Sequence, residues 1–327
     1  MTTLRVLDRL DFAILKAILV NNGTPPGIPV LRKSFRSMAK DLGVDQGTIR
    51  SRIRKLQEQR VLRGWYLGES PSLTGKDVLY AWLVVDSEAE KDEVIEKLLS
   101  VDRVERVCSY LGPKLSLILF HDKSASPDAE LRRLGDLVGS ETVLHKQAAI
   151  QLPAYGLGET DARIVDALRG DPWMPYALVA REVGVSSRTV KRRATRLADD
   201  GMIYMLPVID IKAMHGLVPV ELVVEYEPGK RAAANRAISG YLRESLLFSD
   251  SAGTAGYFAL AVSGIAQMEQ VARSVGEVDG VRGVHPGAIL DVVLNPNHYE
   301  KPTGLTRNVR RDARTDARTK ARAQLRA

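Results

Sequence analysis

The chain has 327 residues, 45% hydrophobic and 27% charged, with a formal net charge of +7. At roughly 100–200 residues per domain this predicts two to four soluble globular domains, each with enough apolar content for a core. No apolar run reaches the roughly 18–20 residues that cross a bilayer. The opening MTTLRVLDRLDF does not read as a secretory signal. Cys108 is the sole cysteine, which excludes an intrachain disulfide framework and fits a cytoplasmic protein without membrane contact.

The charge is uneven. After residue 306 the chain carries eight basic and two acidic side chains, leaving about +1 for everything before. A basic tail on a near-neutral body points to a polyanionic partner, of which nucleic acid is the commonest.

In LDRLDFAILKAIL (7–19), Asp11, Ile14, Leu15 and Ile18 fall on one helical stripe. NNGTPPGIPVLRKS (21–34) follows, with two Gly and three Pro, and reads as loop. Phe35, Met38, Ala39 and Leu42 make a second stripe, ended by Gly43-Val44. A third helix spans about 45–59, with Asp45 as N-cap, and the exit RGWYLGES (63–70) reads as a wing strand. Three short helices with a tight turn before the last describe a helix-turn-helix unit.

The next segments alternate. VLYAWLVVD (78–86) reads as strand, EAEKDEVIEKLLS (88–100) as helix, and RVERVCSYL (103–111) and KLSLILFH (114–121) as strands joined at Gly112-Pro113. SPDAELRRLGDLV (126–138) reads as helix and TVLHKQAAIQL (142–152) as strand. That order, β-α-β-β-α-β, is the ferredoxin-like split βαβ arrangement.

The programme then repeats. Asp161, Ile164, Val165 and Leu168 match the first stripe at an offset of 150; Tyr176, Val179, Ala180, Val183, Gly184-Val185 and TVKRRATRLADDGMI match at 141. The second recognition helix spans about 187–200, capped by Ser186 or Ser187, with YMLPVID (204–210) as its exit strand. A second β-α-β-β-α-β order runs from LVPVELVVEY (217–226) to VRGVHPGAILDVVL (281–294). The expected class is α+β, two winged helix-turn-helix domains (1–72 and 154–211) alternating with two ferredoxin-like domains (73–153 and 212–296), then a basic tail without fixed structure (297–327). Both faces of the strands are apolar, so each sheet needs cover on the side away from its helices. Its counterpart, from the other half or another chain, is the obvious choice.

These motifs resemble the Lrp/AsnC family of transcription regulators. SMAKDLGVDQGTIRSRIRKLQEQRVLRGW (37–65) is similar to the family's core, and VAREVGVSSRTVKRRATRLADDGMIY (179–204) repeats it. The departure is the fusion, since one chain holds two copies where ordinary members carry one and dimerise. The resemblance implies sequence-specific binding of double-stranded DNA, homo-oligomers built through the ferredoxin-like domains, and sensing of an amino-acid-like effector near the turn between the second and third strands. Here those turns hold Gly112 and Gly253; the Gly-Asp of many amino-acid-binding members is absent.

With Ile49, Ile53 and Leu56 placed inward, Gly47, Arg50, Ser51 and Arg54 point out; with Val190, Ala194 and Leu197 inward, Arg188, Lys191, Arg192 and Thr195 point out. Gln46 and Ser187 sit at the helix starts that meet base edges, and Lys55 and Arg196 are phosphate candidates. Arg52 and Arg193, identical between copies, lie at the edge of the buried side, where they brace the fold or reach phosphate. The alternative is an enzyme like the sirohaem decarboxylases, which share this fold. Against it, the five histidines are scattered, and no Walker loop, nucleophile elbow or dinucleotide fingerprint is present. No catalytic, cofactor or metal residue is assigned.

Overall fold

A computed structural model describes residues 6–19, 34–139, 145–150, 156–252 and 255–298. The loop expected at 21–34, all but Ser34, lies outside these residues, as do Gly253 and the tail beyond His298.

The first helical unit holds α1 (Arg9–Leu19), α2 (Phe35–Leu42) and α3 (Gln46–Glu58), followed by strand β1 (Leu62–Glu69). Next come β2 (Lys76–Val84), α4 (Lys91–Leu99), β3 (Val104–Tyr110), β4 (Lys114–Asp122), α5 (Pro127–Val138) and β5 (His145–Ile150). The second helical unit holds α6 (Glu159–Gly170), α7 (Tyr176–Val183) and α8 (Ser187–Asp199), followed by β6 (Ile203–Ile209). The chain then forms β7 (Val218–Tyr226), α9 (Arg231–Tyr241), β8 (Leu246–Ala252), β9 (Ala255–Val262), α10 (Ile265–Gly276) and β10 (Val281–Leu294).

Each helical unit buries the stripes that periodicity predicts. Ile14, Leu15, Met38, Ala39, Ile49, Ile53 and Leu56 fill the first core, and Ile164, Val165, Leu168, Val179, Ala180, Val183, Val190, Ala194 and Leu197 the second. Neither core is closed by its own unit. Met205 of β6, with Met214, Leu247 and Ala261, completes the first, while Leu67 of β1 completes the second. The exit strands therefore do not make separate wings. β1 and β6 pair with each other, antiparallel, as one two-stranded ribbon shared by both units. Gly68 lies opposite Tyr204 in this ribbon, and a Cβ at Gly68 would overlap the Tyr204 ring, so a side chain there would push the strands apart.

The other strands run in the order β5-β2-β4-β3-β10-β7-β9-β8. The two ferredoxin-like units meet at β10. Its first part, Val281–Ala288, pairs with β7 of its own unit, and Ile289–Leu294 pairs with β3 of the other. One strand thus belongs to both sheets, a way in which packed sheets turn a corner. Side chains alternate across each strand. Leu79, Ala81 and Leu83 pack under α4 and α5, and Val220, Leu222 and Val224 under α9 and α10. On the opposite face Tyr80 of β2 stacks on Tyr257 of β9, centroids 4.8 Å apart and 17° between planes. The cover that the sequence requires is supplied, at this point, within one chain.

The tail begins later than expected. Asn295 is fully buried, Asn297 donates to Asp102 (2.7 Å), and the His298 ring stands edge-on to Phe120. Residues 297 and 298 are thus seated on the first ferredoxin-like unit rather than part of a free tail.

Candidate nucleic-acid interface

The two candidate recognition helices, α3 and α8, are built by the same local chemistry. Gly43 (φ +65°) and Gly184 (φ +75°) end α2 and α7 in the left-handed conformation, where a Cβ costs energy. Two residues later the next cap begins. The Asp45 carboxylate accepts from the Thr48 N–H (2.8 Å), and the Ser186 hydroxyl accepts from the Thr189 N–H (3.1 Å). Bonding to Thr48 holds the Asp45 carboxyl below its ordinary pKa, which keeps the cap ionised. Ser186, not Ser187, is the second cap.

Behind each recognition helix sits a carboxylate on the first helix of its unit. Asp11 and Asp161 are buried on their apolar stripes. A buried carboxylate demands a cation. Arg52 Nη1 donates to Asp11 Oδ1 at 3.0 Å, and Arg193 Nη1 donates to Asp161 Oδ1 at 3.0 Å. Arg52 also bonds Asp8. Both arginines are committed inward, which fixes the rotation of α3 and α8 about their axes.

That rotation turns the remaining residues outward. Gln46, Gly47, Arg50, Ser51, Arg54 and Lys55 are all exposed on α3, and Ser187, Arg188, Lys191, Arg192, Thr195 and Arg196 are all exposed on α8. One placement differs from expectation. Arg196 Nη2 donates to Asp161 Oδ2 at 2.7 Å, so its guanidinium is drawn toward the fold and is not poised for phosphate as Lys55 is. Asp161 had an acceptor oxygen left after binding Arg193, and Arg196 lies three residues further round the same helix edge. Two acidic residues, Asp199 and Asp200, close α8.

Trp173 carries no signal in the sequence as a functional residue, yet it joins the two units. It stands before α7 and packs into the first unit's core, 6.0 Å from the Phe35 ring and 5.5 Å from the Trp65 ring. Further along the ribbon, Arg169 of α6 bonds Glu69 of β1 at 2.8 Å.

The turns that the resemblance links to an effector are those holding Gly112 and Gly253. Gly112 occupies the β3–β4 turn at φ +84°, and Gly253 lies outside the described residues. Beside the Gly112 turn is a polar cluster drawn from both halves. The Tyr110 hydroxyl donates to Glu221 of β7 and contacts the Ser116 hydroxyl at 2.8 Å, and Lys114 Nζ lies over the Trp82 and Tyr110 rings. Burial pushes the Lys114 ammonium below its ordinary pKa, with Glu221 opposing. Glu221 lies 111 residues from Tyr110 in the chain, so no local pattern marks this group. Among the described residues no three His, Cys, Asp or Glu side chains gather as metal ligands, and no helix is long and apolar enough to cross a membrane.

Residues 157–198, α6 through nearly all of α8, match the AsnC-type helix-turn-helix domain. Over about a third of its length the chain is similar in sequence to Lrp/AsnC-type helix-turn-helix regulators. It is 29% identical over 107 residues to the HTH-type transcriptional regulator Ptr1 of Methanocaldococcus jannaschii, 33% of this chain and 66% of that one. It is 29% identical over 100 residues to the regulatory protein AsnC of Escherichia coli K12, 30% of this chain and 60% of that one. The chain therefore spans 60–66% of the length of these two relatives. Across most of its length it is similar in fold to the siroheme decarboxylase NirDL, crystallised with an iron-uroporphyrin III analogue. The TM-score is 0.51 at 17% identity, covering 87% of this chain and 92% of that one.

Proposed function

We propose that the protein is a sequence-specific DNA-binding transcription regulator formed by a tandem duplication of the Lrp/AsnC plan, with α3 and α8 as major-groove readers. Domain boundaries follow the repeat, helical units at 1–72 and 154–211 and ferredoxin-like units at 73–153 and 212–296. The observation that carries this reading is the division of labour on the recognition helices. The arginines needed for the fold are tied to buried aspartates. Gln46, Arg50 and Ser51 on α3, and Ser187, Arg188, Lys191 and Arg192 on α8, stand exposed. A solvated amphipathic helix has no need of that many cations on one face. DNA supplies phosphates for Lys and Arg, and guanine edges for Arg. An effector of amino-acid size would meet the Gly112 turn and the adjoining Lys114–Tyr110–Glu221 cluster.

Fluorescence anisotropy with genomic DNA fragments over a salt series tests the reading. The full chain is compared with a truncation after residue 305 and with the combined Arg50→Ala, Arg54→Ala, Lys191→Ala, Arg192→Ala variant. Log K should fall with log salt at a slope of roughly −0.9 per phosphate contact. Retained binding by the truncation and lost sequence preference in the variant support two reading helices. Binding that needs only the tail overturns it. If no form binds DNA, a tetrapyrrole reading like that named for NirDL becomes the one to test, by the absorbance of iron-uroporphyrin on titration.

A further inference from the structure

The two reading faces are unlike at every matched position. At an offset of 141, Gln46 stands where Ser187 does, Gly47 where Arg188 does, Arg50 where Lys191 does, Ser51 where Arg192 does, Arg54 where Thr195 does and Lys55 where Arg196 does. All six pairs differ. Of the positions that build the helix, three pairs are identical, while the caps Asp45 and Ser186 and the core pairs Ile49/Val190 and Ile53/Ala194 differ but keep their roles. Thr48 and Thr189, which bond the cap residues, are identical, as are Arg52 and Arg193, which bond the buried aspartates, and Leu56 and Leu197, which fill the cores. Both helices keep the same framework roles, and their outward faces share no residue at the six matched positions.

The chemistry of the change is directional. The start of a recognition helix lies nearest the base edges. α8 places Arg188, Lys191 and Arg192 in its first two turns, three cations suited to guanine N7 and O6 and to phosphate. α3 begins with Gln46 and the uncharged Gly47, and its outward cations are Arg50, Arg54 and Lys55. Glutamine reads adenine N6 and N7. At Gly47 a Cβ would sit 2.9 Å from the Asp45 cap oxygen, and α3 carries no side chain at the position where α8 carries Arg188.

The two faces are also parts of one body. The β1–β6 ribbon, the Trp173 joint with Phe35 and Trp65, and the Arg169–Glu69 pair all cross from one unit to the other. A chain so joined presents its readers in one order only.

We infer that one chain recognises a composite, non-palindromic DNA site of two different half-sites in fixed order and orientation, the α3 half-site reading adenine through Gln46 and the α8 half-site reading guanine through Arg188. This rests on the regulator reading and adds the symmetry of the site.

Selection of DNA from a random duplex pool by the full chain, followed by sequencing, tests it. The expected consensus has two unlike elements, and inverting one relative to the other costs at least about fivefold in affinity, the lower end of what one lost base contact costs. Gln46→Ala should relax the consensus in one element and Arg188→Ala in the other, with unfolding curves of both variants unchanged. A perfect palindrome, or relaxation of both elements by either variant, overturns the inference and leaves the regulator reading standing. A pool that yields no consensus at all overturns both.

Discussion

Trp173, just ahead of α7, meets Trp65 of β1 edge-on, ring centroids 5.5 Å apart and planes at 81°. One indole comes from the second helical unit and the other from the exit strand of the first, so this contact sets the two recognition helices against each other. Edge-to-face aromatic pairs contribute about 0.5–1.5 kcal/mol beyond area burial. Trp173 is only partly buried. Trp173→Ala should therefore cost about 2 kcal/mol, below the roughly 3–5 of a fully buried tryptophan. Urea unfolding gives that number. The sharper readout is DNA: affinity for a two-element site should fall while nonspecific binding at low salt holds. Equal loss of both would mean that Trp173 supports only the fold.

Arg52 and Arg50 stand two residues apart on α3 and separate bracing from reading. Arg52 is tied to Asp8 and buried Asp11, and Arg50 is exposed on the outward face. Arg52→Ala leaves the Asp11 carboxylate without its cation. Because Arg52 is itself partly solvated, the cost should be about 1–2 kcal/mol, between exposed and buried ion pairs. Arg50→Ala should leave stability within about 0.5 kcal/mol and weaken specific DNA binding by about 1–3 kcal/mol. Thermal melts and anisotropy on the same two variants check the pair, and a reversed pattern would sink the assignment of inward and outward roles.

These cases show what was legible in the residues. The helices, their caps and their buried stripes follow from 3.6-residue periodicity, Gly43 and Gly184, and the polar residues two positions on. Asp11 and Asp161 were half-legible. An acid on an apolar stripe must find a cation, and Arg52 and Arg193 were the identical long cations at that edge. What stayed hidden was pairing at long range. Alternation identifies RGWYLGES and YMLPVID as strands but does not name the partner, and the structure pairs them with each other across two domains. The 14 residues of β10 exceed what one ferredoxin-like edge requires, because the strand serves two sheets. The Tyr110–Glu221 cluster and the Trp173 joint arise from that same long-range closure.

The turn after each recognition helix needs the left-handed conformation, and the copies meet the need differently. Gly201 adopts φ +72° in the second, while Arg60 adopts φ +61° in the first. A Cβ in this region costs roughly 1–2 kcal/mol, and the extra unfolded-chain freedom of glycine costs about 0.4–1. Strain relief is the larger, so Arg60→Gly should stabilise by about 0.5 kcal/mol, and Gly201→Ala should destabilise by about the same. Paired denaturation curves decide. A destabilised Arg60→Gly would show that the arginine side chain contributes more than its backbone strain removes.

Acid sensitivity should trace partly to Asp8. Desolvation pulls its carboxyl up, but the Asp11 N–H and the Arg52 guanidinium pull harder, and the balance lowers it from 3.8 to about 2. A carboxyl lowered on folding contributes stability above its unfolded pKa and loses it as pH falls through the folded value. The window is thus pH 3.8 down to about 2. Asp8 is 42% exposed, so screening keeps the effect small. Asp8→Asn should flatten the loss of melting temperature across that window and leave the neutral-pH slope unchanged. An unaltered acid slope would assign the loss to other carboxylates.

Asn295 makes the strongest single claim on the joint between the halves. It follows β10, is fully buried, and aims Nδ2 at three carbonyls of the first ferredoxin-like unit: Leu99 (3.0 Å), Val101 (3.2 Å) and Val104 (2.8 Å). The Leu99 oxygen ends α4, where the helix has no further N–H groups of its own to give, and Val101 O also accepts from the Val104 N–H at 2.9 Å. Its own N–H meets Glu105 O at 2.9 Å, continuing the β10–β3 ladder by one residue. Asn295→Leu keeps a comparable volume but strips the donors, and leaving buried carbonyls unpaired costs about 1–3 kcal/mol. The loss should be local before it is global. Amide exchange should quicken along the β3 and β10 segment from Ile289 to Leu294, while the β7-paired segment from Val281 to Ala288 stays protected. Uniform quickening of both segments would mean that β10 opens as one unit, and that the ferredoxin-like sheets are not separable at this seam.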